Sequence, residues 1–173
     1  MAIGGGTGLS ALLRGLKHHV GGGRLRQLTG VVTVTDDGGS SGRLRRELGV
    51  LPPGDIRNCL VALADDETLL ARLFQYRFPV GGDLGGHSFG NLFLTALTGI
   101  TGDFHQAILT AESILSVRGK VFPATLTDVV LAGRGISGST YQGETAIGSA
   151  HEQIVDISIE PQAPPAFPPA VSA

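Results

Sequence analysis

Four short runs in this chain carry the residue types from which a binding site is built. Gly4-Gly5-Gly6-Thr7-Gly8 runs straight into an apolar repeat at Leu9, Leu12, Leu13 and Leu16. That arrangement sets glycines at a helix N-terminus, where unpaired N–H groups and a partial positive charge attract an anion. Thr7 and Ser10 add hydroxyls, so the expected ligand bears phosphate. A strand-to-helix turn without a ligand is the alternative, although three successive glycines exceed what a turn needs. Leu9 occupies the last position of a G-x-G-x-x-G pattern and no Walker lysine follows. Neither a standard dinucleotide fingerprint nor a P-loop is therefore indicated.

The second run is Asp36-Asp37-Gly38-Gly39-Ser40-Ser41-Gly42-Arg43, directly after the β-rich Val31 to Thr35. Carboxylates at the carboxyl end of a strand lie where open α/β sheets bind ligands. One could accept from ribose hydroxyls, or the pair could hold a divalent metal. A plain turn at Asp37-Gly38, with Asp36 as a cap, is the structural alternative. Arg43, Arg45 and Arg46 beside Glu47 read as a solvated helix face. The third run, Pro52-Pro53-Gly54-Asp55-Ile56-Arg57-Asn58, is explained without a ligand if Asp55 is a helix N-cap. The fourth, Gly85-Gly86-His87-Ser88-Phe89-Gly90-Asn91, is another Gly-rich helix entry, with His87 and Asn91 as donors for a second anion or a sugar.

The elements that must position these runs alternate in type. Helices are expected at Leu9–Leu16, at Ile56, Cys59, Leu60 and Leu63, and from about Glu67 to Tyr76. Two more are expected, one on Phe89, Leu92, Phe93 and Ala96 with Ser88 as N-cap, the other on Phe104, Ala107, Ile108, Ala111, Ile114 and Leu115 after Asp103. Arg118-Gly119 is its expected stop. Val31–Thr35 and Asp128–Ala132 read as buried strands, and Thr140–Ile147 and Ile154–Ile159 as weaker ones. Such alternation predicts an α/β fold, Rossmann-like and three-layered (αβα), with a mainly parallel sheet.

Composition excludes several classes. With 42% apolar residues and a net charge of -2, the chain has no basic excess to suggest nucleic acid or an anionic membrane. One cysteine, Cys59, excludes an internal disulfide, and no run approaches the about 18 apolar residues of a membrane span. No signal peptide is read at the start, so a cytoplasmic location is expected. Only Met1-Ala2-Ile3 precede the glycines, so the first strand is expected to be clipped. Pro161, Pro164, Pro165, Pro168 and Pro169 crowd the other end. Residues 1–160 are therefore read as the N-terminal part of a nucleotide-binding domain, and 161–173 as a Pro-rich connection to a second half. An unpaired sheet edge would promote self-association, so a homo-oligomer is among the expected partners.

Gly4 to Ser10, Thr33 to Arg43, Leu51 to Asp65 and Gly86 to Asn91, together with Gly102-Asp103-Phe104 and Ala111 to Pro123, closely resemble the YvcK-type gluconeogenesis factors. Those proteins are related to 2-phospho-L-lactate transferase (CofD), which moves a phospholactyl group from a guanosine conjugate to a deazaflavin. The resemblance implies a nucleotide or UDP-sugar ligand and a role in cell shape and growth on gluconeogenic carbon. It carries no established reaction. It makes Gly4 to Gly8 the phosphate loop, matches Asp36 and Asp37 to an acidic pair, and sets Asp55 in an acceptor-side acidic motif. Ser40, Ser41, Asn58, His87, Ser88 and Asn91 complete the expected ligand set. For a transferase, Asp36, Asp37 and Asp55 would gather around Mg²⁺.

Overall fold

The computed structural model describes residues 1–21, 24–64 and 69–173. Strand β1 (Ala2–Gly4) leads into helix α1 (Gly6–Leu16), and a 3₁₀ turn at Lys17–His19 precedes β2 (Thr29–Val32). Five helices follow before the next strand: α2 (Gly39–Leu48), α3 (Gly54–Leu63), α4 (Leu69–Gln75), α5 (Phe89–Thr101) and α6 (Phe104–Leu115). Strand β3 (Lys120–Pro123) then completes a parallel sheet of order β1-β2-β3. The α/β class with a parallel sheet expected from the sequence is what the chain adopts.

One face of that sheet explains the helix patterns. Gly30 stands in register with Ala2 and Val121, and a Cβ on it would come within 2.9 Å of Leu13 Cδ1, so α1 lies directly against β2. Leu9 and Leu13 are buried, whereas Leu12 is 51% exposed, because the predicted stripe is wider than the strip that α1 covers. Helix α3 packs among α1, the sheet and α4 to α6. Ile56, Cys59, Leu60 and Leu63 are all completely buried, each large apolar side chain contributing about 1.5–3 kcal/mol. In α5 the buried residues are Gly90, Asn91 and Leu94, while Phe89 and Phe93 pack partly exposed around Phe74.

Caps fall partly where expected. Ser88 Oγ accepts from the Asn91 N–H and Asp103 Oδ1 from the Gln106 N–H. The predicted stop at Arg118-Gly119 lies three residues late, since α6 ends at Leu115 and Ser116 takes the left-handed turn. The expected helix from Glu67 begins outside the described residues; its described part is α4. Gly22, Gly23 and Asp65 also lie outside them. Helix α2 grows from a Gly/Ser run that reads as loop, and it is held by burial of Ser40, Ser41, Gly42 and Leu44.

The strand expectations shift in a more telling way. The ladder of β2 stops at Val32 rather than Thr35: β1 ends at Gly4 and the chain turns into α1, leaving nothing for the residues beyond Thr33 to pair with on that side. Strand β4 (Val130–Gly135) does not extend the parallel sheet. It pairs antiparallel with β5 (Thr140–Gln142) and β6 (Ile154–Glu160), forming a separate sheet of order β5-β4-β6. A short turn closed by the Gly138 N–H on the Gly135 carbonyl makes this hairpin local. The expected strand Thr140–Ile147 accordingly splits, its second part becoming the five-residue helix α7 (Glu144–Gly148). The proline-rich 161–173 segment lies against β3: Phe167 meets Phe122 and His105, its N–H donates to the Ala124 carbonyl, and Pro168–Val171 form α8.

Candidate functional site

The glycine loop stands at the carboxyl end of β1, and its first helical N–H is already occupied. Gly6 N–H donates to Asp55 Oδ2 at 2.6 Å. A side chain on Gly5 would collide with Thr33 Oγ1 and come within 2.8 Å of Asp55 Oδ2, so glycine is required by close packing of the loop on β2 and α3. The Thr7 and Gly8 N–H groups, in the exposed first turn of α1, have no partner among the described residues. Asp55 is therefore not the N-cap of α3. That position belongs to Pro53, and Asp55, inside the first turn, reaches across to the start of α1 instead. Burial pushes its carboxyl above the usual carboxylate range against the pull of the Gly6 N–H, and Asp36 and Glu144 add to the rise.

Asp36 joins this centre and Asp37 leaves it. Asp36 Oδ1 accepts from the Gly38 N–H at 3.0 Å. Its Oδ2 lies 2.6 Å from where a Cβ on Gly54 would stand, next to Asp55. Asp37 Oδ1 instead accepts from the Thr145 N–H and hydroxyl at 3.0 and 2.9 Å, tying the α7 end of the antiparallel unit to the β2 loop. Thr35 Oγ1 donates to Glu144 in the same seam. Among the described residues no group of three or more His, Cys, Asp or Glu side chains is arranged to hold a metal. Asp36 and Asp55 nonetheless fit Mg²⁺, which commonly takes one or two carboxylates and completes its shell with water and phosphate. Asp55 is buried and Asp36 half-buried beside it, so the two present the carboxylates such a shell would use; Asp37 is not part of that pair.

Four of the remaining expected residues form one buried seam between α2 and α5, and a fifth joins it. Ser40 Oγ and His87 Nδ1 are 2.9 Å apart, the Ser88 N–H reaches Ser40 Oγ at 3.4 Å, and Asn91 Nδ2 donates to Ser41 Oγ at 3.4 Å. His87, Ser88 and Asn91 are all buried. Burial and then the nearby Arg43 hold the His87 imidazole below its ordinary pKa, keeping it neutral. Arg43 and Arg45 do not form a solvated face: they donate to the Gly85 and Val129 carbonyls.

Asn58 belongs elsewhere, to a cleft of about 390 Å³ between α1, α3 and the end of α4, where Thr7, Ser10, Arg14, Arg57 and Gln75 join it. The loop thus divides the predicted set. Gly5 and Gly6 face the acidic pair, Thr7 and Asn58 face the cleft, and Gly4 ends the strand behind them. Arg57, passed over in the sequence, is the hub: its guanidinium donates to Ser88 Oγ at 3.1 Å and Asn58 Oδ1 at 2.6 Å. Arg14 was legible in principle, lying on one stripe of α1 with Thr7 and Ala11; nothing local signals that Arg57 is buried or that Thr145 meets Asp37.

Comparison with known proteins decides the family. The sequence profile of 2-phospho-L-lactate transferase CofD matches residues 1–173. The chain belongs to the CofD family. A Nostoc sp. protein is 57% identical over 173 residues, which are 37% of its length. The gluconeogenesis factor of Bacillus subtilis is 52% identical over 160 residues, covering 92% of this chain and 49% of that protein. A crystal structure of a Bacillus halodurans protein superposes with a TM-score of 0.90 at 45% identity, over 99% of this chain and 54% of that one. This member of the CofD family thus spans about half the length of such relatives, or less. Among the described residues no helix is long and apolar enough to cross a membrane.

Proposed function

We propose that this chain forms part of a nucleotide-sugar-binding regulatory protein of the gluconeogenesis factor type, its ligand a UDP-sugar or a close analogue. The observation that carries this reading is the glycine loop at the carboxyl end of a parallel strand, opening onto a cleft lined by hydroxyl, amide and guanidinium groups. The loop supplies N–H donors to phosphate, and Asp36 or Asp55 offers an acceptor to ribose or sugar hydroxyls. The role in cell shape and in growth on gluconeogenic carbon follows the family resemblance. Mass spectrometry of small molecules released on denaturing the purified full-length protein tests the reading. A retained uridine diphosphate sugar supports it, and a protein that neither retains one nor binds added UDP-glucose refutes it.

A second reading is favoured by one specific observation, the convergence of Asp36 and Asp55. In a transferase of a phosphorus-containing group, those two carboxylates would hold Mg²⁺. The cation would neutralise a diphosphate during transfer. The chain's own part would be to hold the two carboxylates in place, Asp36 through Gly38 and Asp55 through Gly6. Nucleotide binding that is indifferent to Mg²⁺ would count against this reading and leave the first intact.

A further inference from the structure

The inner crook of the glycine loop is acidic. Gly6 N–H is spent on Asp55, Asp36 stands beside it, and a phosphate placed there would face two carboxylates. The outer side has the opposite character. Thr7, whose N–H like that of Gly8 is free at the start of α1, borders a cleft whose lining, among the described residues, contains two arginines and no carboxylate. Arg14 is exposed and has no ion-pair partner among the described residues. Arg57 is only 9% exposed and, among the described residues, hydrogen-bonds to neutral acceptors alone, its Nε finding no partner there. A guanidinium has donors and no acceptor. Its bond to Asn58 Oδ1 therefore fixes the orientation of that amide, leaving Nδ2 as the group free for the cleft.

We propose that the phosphates of the ligand sit in this outer cleft, held by Arg14, the Asn58 amide and the Thr7 and Gly8 N–H groups, rather than over Gly5 and Gly6. Arg57 acts as a positioning residue that sets the polarity of Asn58. The proposal rests on the nucleotide-binding reading above and assigns its phosphate subsite. It separates the ligand's charge from the Asp36–Asp55 pair, which remains available to a cation or to hydroxyls.

The test uses the full-length protein and calorimetric titration with inorganic pyrophosphate and with UDP-glucose, each without added metal. Asn58→Asp keeps an oxygen for Arg57 but replaces the donor facing the cleft with negative charge. Arg14→Ala removes a surface cation that no buried contact requires. Each substitution is expected to weaken both ligands by roughly tenfold or more, with Arg14→Lys recovering part of the loss. Circular dichroism melting of the variants at the parental temperature keeps a folding defect apart from a binding one. UDP-glucose bound equally by the parent, Asn58→Asp and Arg14→Ala overturns the subsite while leaving nucleotide binding standing. UDP-glucose bound by none of them, the parent included, overturns the underlying reading and the subsite with it.

Discussion

Replacing Asp55 by asparagine separates scaffold from function at the centre of the site. The substitution keeps an oxygen for the Gly6 N–H but exchanges a charge-assisted bond of about 1.5–3 kcal/mol for a neutral one of about 0.5–1.5 kcal/mol, a loss near 1 kcal/mol. On the other side stand burial of the charge and repulsion from Asp36 and Glu144, and the upward displacement of the carboxyl says that these outweigh the hydrogen bond. A carboxyl held above its ordinary value of 3.8 binds its proton more tightly in the folded chain than in the unfolded one. Its contribution to stability is complete below 3.8 and is lost as pH rises through the raised value. Above the raised value the folded chain carries an ionised Asp55 at a net cost. Asp55→Asn should remove that cost and raise Tm at pH above the raised value, each kcal/mol gained being worth about 2–4 °C in a chain of this size. The parent should approach the variant in stability as pH falls toward 3.8, and Mg²⁺-dependent binding, where present, should be lost. Scanning calorimetry from pH 4 to pH 8 with a ligand titration decides it. A variant that melts below the parent at pH 7 yet binds with parental affinity would refute the reasoning and make Asp55 a scaffold residue.

Gly5→Ala should destabilise the fold by about 1–3 kcal/mol through overpacking against Thr33 and Asp55, so any loss of binding must be read from denaturant-derived stability and affinity together. Asp37→Ala should cost about 0.5–1.5 kcal/mol by removing the acceptor of the exposed Thr145 N–H and hydroxyl. Hydrogen exchange should then rise over residues 130–160 while β1 to β3 stay protected, and any Mg²⁺ response should survive; uniform exchange across both sheets would contradict the tether.

Much of the helical architecture and the location of the loop were legible because both are local. An apolar stripe such as Phe104, Ala107, Ile108, Ala111 and Leu115 specifies its own helix and buried face, and Ser88 and Asp103 cap the helices beside them. Successive glycines before Leu9 likewise announce a strand-to-helix turn. The sheet was less legible, since a run such as Val130 to Gly135 carries no mark of its partner. A nearby glycine turn offered it β5 first, and it became antiparallel instead of extending β1 to β3.

What the sequence determined by itself was the set of polar groups and the helices that carry them. Their roles were decided only by tertiary structure, because the choice among them depends on pairings between residues far apart in the chain. Asp36 and Asp37 are chemically the same and adjacent, yet one turns to Asp55 and the other to Thr145, 108 positions away. Asp55 reads as a cap for its own helix and serves the one that begins at Gly6, 49 positions earlier. Arg57 looks like a surface cation until α4 and α5 close over it and turn it into the residue that orients Asn58. Hydrogen bonds and charges act through distance in space, and only the packed chain fixes those distances.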